Sequence, residues 1–417
     1  MSLALPLYRA ATRLLEPLAP GLLRWRAARG KEDPARLGER SGRSGARRPD
    51  GPLVWLHGVS VGESLSLLPL AQGLRARRPG LTLLVTSGTR TSAALLAARL
   101  PAGVIHQYIP VDGPASVGRF LDHWRPDAGI LVESELWPNL ITLADSRGVK
   151  LALASARMTQ ASAQGWARVP TAARALLDAF TVILPQDDET AERLAALGGR
   201  IGPQLNLKLV GERLPHDPDE LARLKASMGD RPVILAASTH PGEEAIIAGA
   251  SREFSALLVV APRHPDRGPE VAETLKAAGL IVARRGAGES LTPDVTAYVA
   301  DTLGEMGLFF RMADIAVMGG SLVPGIGGHN PLEPARLGTP LVTGPQVFNA
   351  AAIYEAMLDQ TAAISAADGA DLRRHLAGLL ACPDIRARIG EAGLDFAQAQ
   401  GAALDVALDL LEPLLPA

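Results

Sequence analysis

Carboxylates, cations and a long run of glycines recur in this chain just where an apolar stretch ends. The richest such place is Gly319–Pro345, GGSLVPGIGGHNPLEPARLGTPLVTGP. There the buried-looking run Asp314–Met318 stops at Gly319-Gly320 and gives way to a loop with three further glycines before Asn330. Pro331 then opens a short predicted helix, closed by Gly338 and Pro340 before a strand at Leu341-Val342. A strand, a glycine loop and a helix start expose backbone N–H groups that suit a phosphate or carboxylate. Proline fits the first helical position because its missing N–H would have been unpaired there. Glu333 follows within a turn and can accept from hydroxyls such as a ribose diol. A plain strand-to-helix turn would use the same residues.

Other chemistry-bearing turns share that context. His57-Gly58-Val59-Ser60-Val61-Gly62-Glu63 contains a literal GxSxG, the nucleophile elbow of serine hydrolases. Ser60 follows the first predicted strand, too early for that fold, so Glu63 is the better candidate: a carboxylate at a strand end can take a proton from a hydroxyl. Acids also favour first turns of helices, and capping is its competing role. Glu133-Ser134-Glu135-Leu136-Trp137-Pro138-Asn139 is a second acidic turn, and Ser155-Ala156-Arg157 brings a guanidinium that can serve an anion or pair with Glu133 or Glu135. Cations dominate the second half. Arg263-His264 follows one predicted strand, Ser238-Thr239-His240 another, and Asp301-Thr302-Leu303-Gly304-Glu305-Met306 a third. Lys208 lies between the halves, where a mobile ammonium can reach a leaving phosphate.

The elements that must position these turns alternate. Strands are expected at 53–57, 81–87, 128–132, 150–154 and 181–184, with helices at 63–78, 91–100 and 187–197. After a looser segment at 200–218 the rhythm restarts with strands at 233–237, 256–260, 281–283, 297–300, 315–318 and 341–342. Alternation of this kind gives parallel sheets covered on both faces, and ligands bind at their strand C-terminal ends. At 417 residues two domains are the natural division. We set 1–48 as an amphipathic segment with a basic linker, 49–205 as the first α/β domain and 206–417 as the second. The last helix, 384–414, is long enough to return to the first domain.

In the opening segment Leu3, Leu7, Ala11, Leu14, Leu18 and Leu22 recur at helical spacing, with Arg9 and Arg13 off that face and Pro17 and Pro20 interrupting it. An apolar stripe rimmed by arginines suits an anionic bilayer surface, and equally suits packing on its own domain. No run is apolar enough for a span. A net charge of -2 excludes bulk nucleic-acid binding. The single Cys382 cannot form an internal disulfide, and the eight scattered histidines show no metal-ligand spacing.

From Gly30-Lys31-Glu32 through WLHGVSVGE, ESELWPN, SARMT, AASTHPGEE, APRHPDR, DTLGEMG and GGHNPLEPARLGTPLVTGP, the chain closely resembles the 3-deoxy-D-manno-octulosonic acid (Kdo) transferases. The resemblance covers nearly the whole sequence. It implies a GT-B glycosyltransferase fold, two Rossmann-like domains facing each other across a cleft. It also implies transfer of Kdo from CMP-Kdo to a lipid A precursor, lipid IVA, with inversion and without a metal or other cofactor. By motif, Glu63 would be the general base, with Glu135 and Lys208 stabilising the transition state. Arg263, His264, Gly304, Glu305, Met306, Asn330, Pro331, Leu332 and Glu333 would bind CMP. The implied location is the cytoplasmic side of the inner membrane, as a peripheral protein. A sugar-nucleotide epimerase or hydrolase on the same two-domain plan is the alternative.

Overall fold

The computed structural model describes residues 3–133, 136–211 and 213–416. Two compact units divide the chain: Met1–Gly211 with Gln400–Ala417, and Glu212–Ala399. The division falls a few residues past the 205/206 boundary set from sequence, and residues 3–48 belong to the first unit.

The first unit is built on six parallel strands: β1 (Leu53–His57), β2 (Thr82–Ser87), β3 (Ile105–Tyr108), β4 (Ala128–Val132), β5 (Lys150–Ala156) and β6 (Phe180–Pro185). Their order is β3-β2-β1-β4-β5-β6, so the winding direction reverses between β1 and β4. Side chains alternate across the sheet: Leu53 and Trp55 join one apolar cluster, Val54 and Leu56 the other. Both faces are therefore buried, which explains the continuous apolar runs. The helix Pro383–Leu411 ends in this unit, where Ala407, Leu408 and Leu411 join Leu67, Leu70 and Leu74 of the helix Val61–Arg77.

The second unit carries seven parallel strands: β7 (Val233–Thr239), β8 (Leu257–Pro262), β9 (Val282–Arg284), β10 (Ala297–Val299), β11 (Ile315–Met318), β12 (Leu341–Thr343) and β13 (Ile364–Ser365). The order β13-β12-β11-β7-β8-β10-β9 reverses between β7 and β11. In such sheets the strands on either side of the reversal splay their following loops to opposite faces and leave a crevice at their C-terminal ends. Each unit has one.

Sequence reading missed β3 and β13. Ile105-His106-Gln107-Tyr108 interleaves polar residues with the apolar ones, and β13 is only two residues long. The amphipathic opening folds as the helix Ala4–Leu15, a short 3-10 turn at Glu16–Leu18 and the helix Ala19–Ala28, broken where Pro17 and Pro20 fall. Its polar side docks on the first unit. Tyr8 Oη donates to Asp112 at 2.9 Å, Asn139 Nδ2 donates to Thr12 Oγ1 at 2.9 Å, and Glu16 accepts the Ala115 N–H at 3.0 Å, capping the helix Pro114–Trp124. Its apolar side stays in solvent, with Leu7 65% and Leu14 79% exposed. The segment thus packs on its own unit through these polar groups together with Leu5 and Leu23, and leaves a leucine stripe exposed. Among the described residues no helix is long and apolar enough to cross a membrane.

Candidate functional site

In the first unit the reversal of strand order puts the turns after β1 and β4 side by side. Ser60 caps the helix Val61–Arg77, accepting the Glu63 N–H at 3.3 Å, while Glu63 Oε2 accepts the Val59 N–H at 2.6 Å. The cap expected of a first-turn acid is therefore present. It occupies one carboxylate oxygen and leaves Oε1 available on a half-exposed side chain. One turn on, Ser66 Oγ lies 3.5 Å from Glu133 Oε1.

Glu133 follows β4 and is nearly buried, its side chain 7% exposed, and its Oε2 pairs with Lys208 Nζ at 2.7 Å. Lys208 thus takes the carboxylate that sequence reasoning offered to Arg157. Glu135, the acid expected to act with Lys208, lies outside the described residues. Two residues at this edge hold left-handed backbone: Glu133 at φ 52° and Ser155 at φ 50°. Such a conformation costs a non-glycine residue about 1–2 kcal/mol, and strain of this kind concentrates at functional sites. Ser155 Oγ accepts the Leu207 N–H at 3.2 Å, which ties β5 to the segment carrying Lys208.

In the second unit the glycine loop after β11 meets the turn after β7. Gly319 and Gly344 are required by close approach: a Cβ on the first would sit 2.5 Å from the Ser238 carbonyl oxygen, and on the second 2.1 Å from that of Ser321. The loop's first amides are not open to a ligand. Glu243, fully buried at the start of the helix Glu243–Ser251, accepts the N–H groups of Gly320 at 2.7 Å, Ser321 at 3.0 Å and Leu322 at 2.9 Å, and that of His240 at 2.9 Å. A carboxylate of the chain itself thus takes the first amides of the glycine loop and fixes it. Thr239 is buried and donates to Glu244 at 2.8 Å, and Glu244 in turn pairs with Arg267 at 2.8 Å.

What remains accessible at this edge includes three histidines and Arg263. His240 Nε2 and His329 Nε2 stand 2.9 Å apart with their rings stacked, and the ring of His264 lies 6.3 Å from that of His240. Burial pushes His329 down to about 4, and the charges of His240 and Arg263 push the same way. His240 is lowered by burial, then by His264, Arg267 and Arg263, with Glu243 opposing. Burial is the main cause in both, and Arg263 beside them adds positive field that favours an anion. Arg263 and His264 are exposed beside β8. Glu333 is half-buried, and burial raises its carboxyl pKa, while Arg336 and Arg263 lower it.

The other expected CMP contacts are more constrained. Pro331 precedes the one-turn helix Leu332–Ala335 instead of opening it, and Leu332 is fully buried with its N–H donating to Asn330 Oδ1 at 3.1 Å. Its side chain belongs to the core, so only backbone at this position can face a ligand. Glu305 is held by Arg285 at 2.6 Å and by Thr302, leaving Gly304, at φ 83°, and Met306 to present backbone at the end of β10. Sequence reasoning missed the roles of Glu243, His240 and His329. The two acids after Gly242 were visible, but their partners lie 77 to 79 residues on. Among the described residues no group of three or more His, Cys, Asp or Glu is placed to hold a metal ion.

Comparison with known proteins adds sequence kinship and fold. The family profile described as 3-deoxy-D-manno-octulosonic-acid transferase (kdotransferase) matches residues 35–210. The 3-deoxy-D-manno-octulosonic acid transferase of Bordetella pertussis is 37% identical over 97% of this chain and 98% of its own length. A probable mitochondrial 3-deoxy-D-manno-octulosonic acid transferase of Arabidopsis thaliana is 36% identical over 84% of this chain and 82% of its own. Among solved structures, a glycosyltransferase from Rickettsia africae aligns over 88% of this chain and 99% of its own, at 11% identity and a TM-score of 0.56. The UDP-GlcNAc 2-epimerase of Neisseria meningitidis aligns over 87% and 100%, at 10% identity and a TM-score of 0.55. A transferase and an epimerase fit the fold equally well, which is of the GT-B type. The sequence relatives separate them.

Proposed function

We propose a donor, an acceptor and a base for this chain from one premise: it belongs to the 3-deoxy-D-manno-octulosonic acid transferase family of glycosyltransferases. The donor is CMP-Kdo and the acceptor a lipid A precursor, lipid IVA. Glu63 takes the proton of the acceptor hydroxyl as that oxygen bonds to the anomeric carbon of Kdo. The bond from that carbon to the phosphate oxygen breaks, and CMP leaves with the electron pair. Attack opposite the phosphate inverts the centre. A phosphate ester needs little acid help to depart, so the sluggish partner is the hydroxyl, and base assistance is worth about 10²–10⁴-fold.

The supporting observation is the division of charge between the two switch-point edges. Carboxylates with one ammonium sit at the first, and histidines with Arg263 at the second. Glu63 keeps one oxygen free of its cap, as a base must. On this reading Lys208 and Glu135 steady the developing positive charge and the departing phosphate. Arg263, His264, the backbone at Gly304, Glu305 and Met306, and Asn330, Pro331, Leu332 and Glu333 hold CMP. The exposed leucine stripe and its arginines rest on the cytoplasmic face of the inner membrane, where the acceptor lies.

The test follows CMP release from CMP-Kdo with and without lipid acceptor. Release that requires acceptor, with Kdo recovered on the lipid, supports transfer. Equal release in its absence would place the chain with the epimerases or hydrolases.

A further inference from the structure

Beyond β5 the chain leaves a cavity of about 230 Å³ at the C-terminal edge of the first sheet. Its floor is apolar, made by Leu136, Met158 and Leu194, each less than a tenth exposed. Its polar wall consists of Arg157, Ser162 and the half-buried Trp166 on the helix Gln160–Ala167. Among the described residues no carboxylate lines it. Arg157 has no ion-pair partner among the described residues, and the Trp166 indole N–H has no acceptor among them. Ser162 Oγ accepts from Thr159 Oγ1 at 3.2 Å, which leaves its own proton free to donate. A packing flaw would be lined by apolar groups alone, whereas this cavity gathers a cation and two neutral donors over an apolar floor. It adjoins the reacting edge: Glu133 N–H donates to Ala154 O at 3.2 Å, three residues before Arg157.

We infer that this cavity binds one phosphorylated sugar ring of the glycolipid acceptor, with the phosphate on Arg157 and an apolar ring face against Trp166. A guanidinium without a carboxylate partner selects an anion, and its planar fork matches phosphate oxygens two at a time. The volume is below that of pockets for drug-sized ligands, about 300 Å³ and upward. It therefore suits a headgroup and leaves the acyl chains outside. The inference rests on reading the first unit as the acceptor unit, and makes Arg157 a determinant of acceptor choice.

The test uses the full chain, CMP-Kdo, and two acceptors: the phosphorylated glycolipid and the same lipid after phosphatase treatment. Arg157→Gln should raise the acceptor KM about 10- to 100-fold for the phosphorylated form, as expected for loss of a hydrogen bond to a charged group. Its kcat and its KM for CMP-Kdo should stay within about twofold of wild type, as removal of a pure binding contact requires. Wild type should prefer the phosphorylated acceptor, Arg157→Gln should not discriminate, and Arg157→Lys should recover part of the preference. An unchanged acceptor KM in Arg157→Gln, or equal weakening toward both acceptors, would overturn the inference while leaving the transferase reading intact. Acceptor-independent CMP release by wild type would instead overturn that reading, and this inference with it.

Discussion

On the proposed reading Glu63 joins two roles, helix cap and base, in one side chain. Its cap to Val59 fixes the carboxylate at the strand end, and the unbonded oxygen is what a substrate hydroxyl would meet. Glu63→Gln keeps the size and the cap while removing the base. Transfer should fall by about 10²–10⁴-fold with melting temperature near wild type; substantial transfer at saturating donor and acceptor would reduce Glu63 to a cap. Lys208 carries a different risk. Removing it strands the nearly buried Glu133, so Lys208→Ala should cost stability as well as rate. Three histidines set a pH dependence: burial holds His57, His106 and His329 at about 4, against an ordinary 6.5. A depressed value means the unfolded chain binds more protons, so this stability is complete above the ordinary value and is lost as pH falls toward about 4. The fully buried His57 alone should cost on the order of 1–2 kcal/mol by about pH 5. Thermal melts from pH 6.5 down to 5 check this, and a flat or rising melting temperature would contradict it.

At the scale of elements, the glycine loop is held by one buried carboxylate. Glu243→Gln offers a single oxygen to four amides, and its own NH₂ faces their N–H groups. A loss of about 1–3 kcal/mol is expected, with weaker CMP binding because the loop loosens. Calorimetric affinity equal to wild type in a folded Glu243→Gln protein would separate the loop from the donor. The opening helices make a second element-level claim. Deleting residues 1–28 should move the protein off membranes, and high salt should loosen the intact chain, whose arginines near an anionic surface are worth about 1 kcal/mol each. Extraction only by detergent at every salt concentration would contradict surface attachment. Most strands were legible because each is a short apolar run bounded by turn residues, as Leu53–His57 and Ala128–Val132 are. β3 was not, since His106 and Gln107 earn their burial from Arg36 and Trp124 in distant parts of the chain. The same limit hid the site's interior. Glycines announced a loop after β11, but only the fold reveals that Glu243 fills its amides and that His240 meets His329.

At the scale of the molecule, two doubly wound units each place a switch-point crevice at one sheet edge. On the proposed reading the chemistry is divided between them, with base and ammonium in the first and the anion-holding Arg263 and histidines in the second. That division is the central claim, and calorimetry of CMP binding combined with transfer assays on Arg263→Ala and Glu63→Gln tests it most directly. Arg263→Ala should bind CMP at least about tenfold more weakly, as loss of a charge-assisted contact implies, while Glu63→Gln binds CMP like wild type yet fails to transfer. CMP affinity unchanged in Arg263→Ala, or lost in a folded Glu63→Gln protein, would contradict the division.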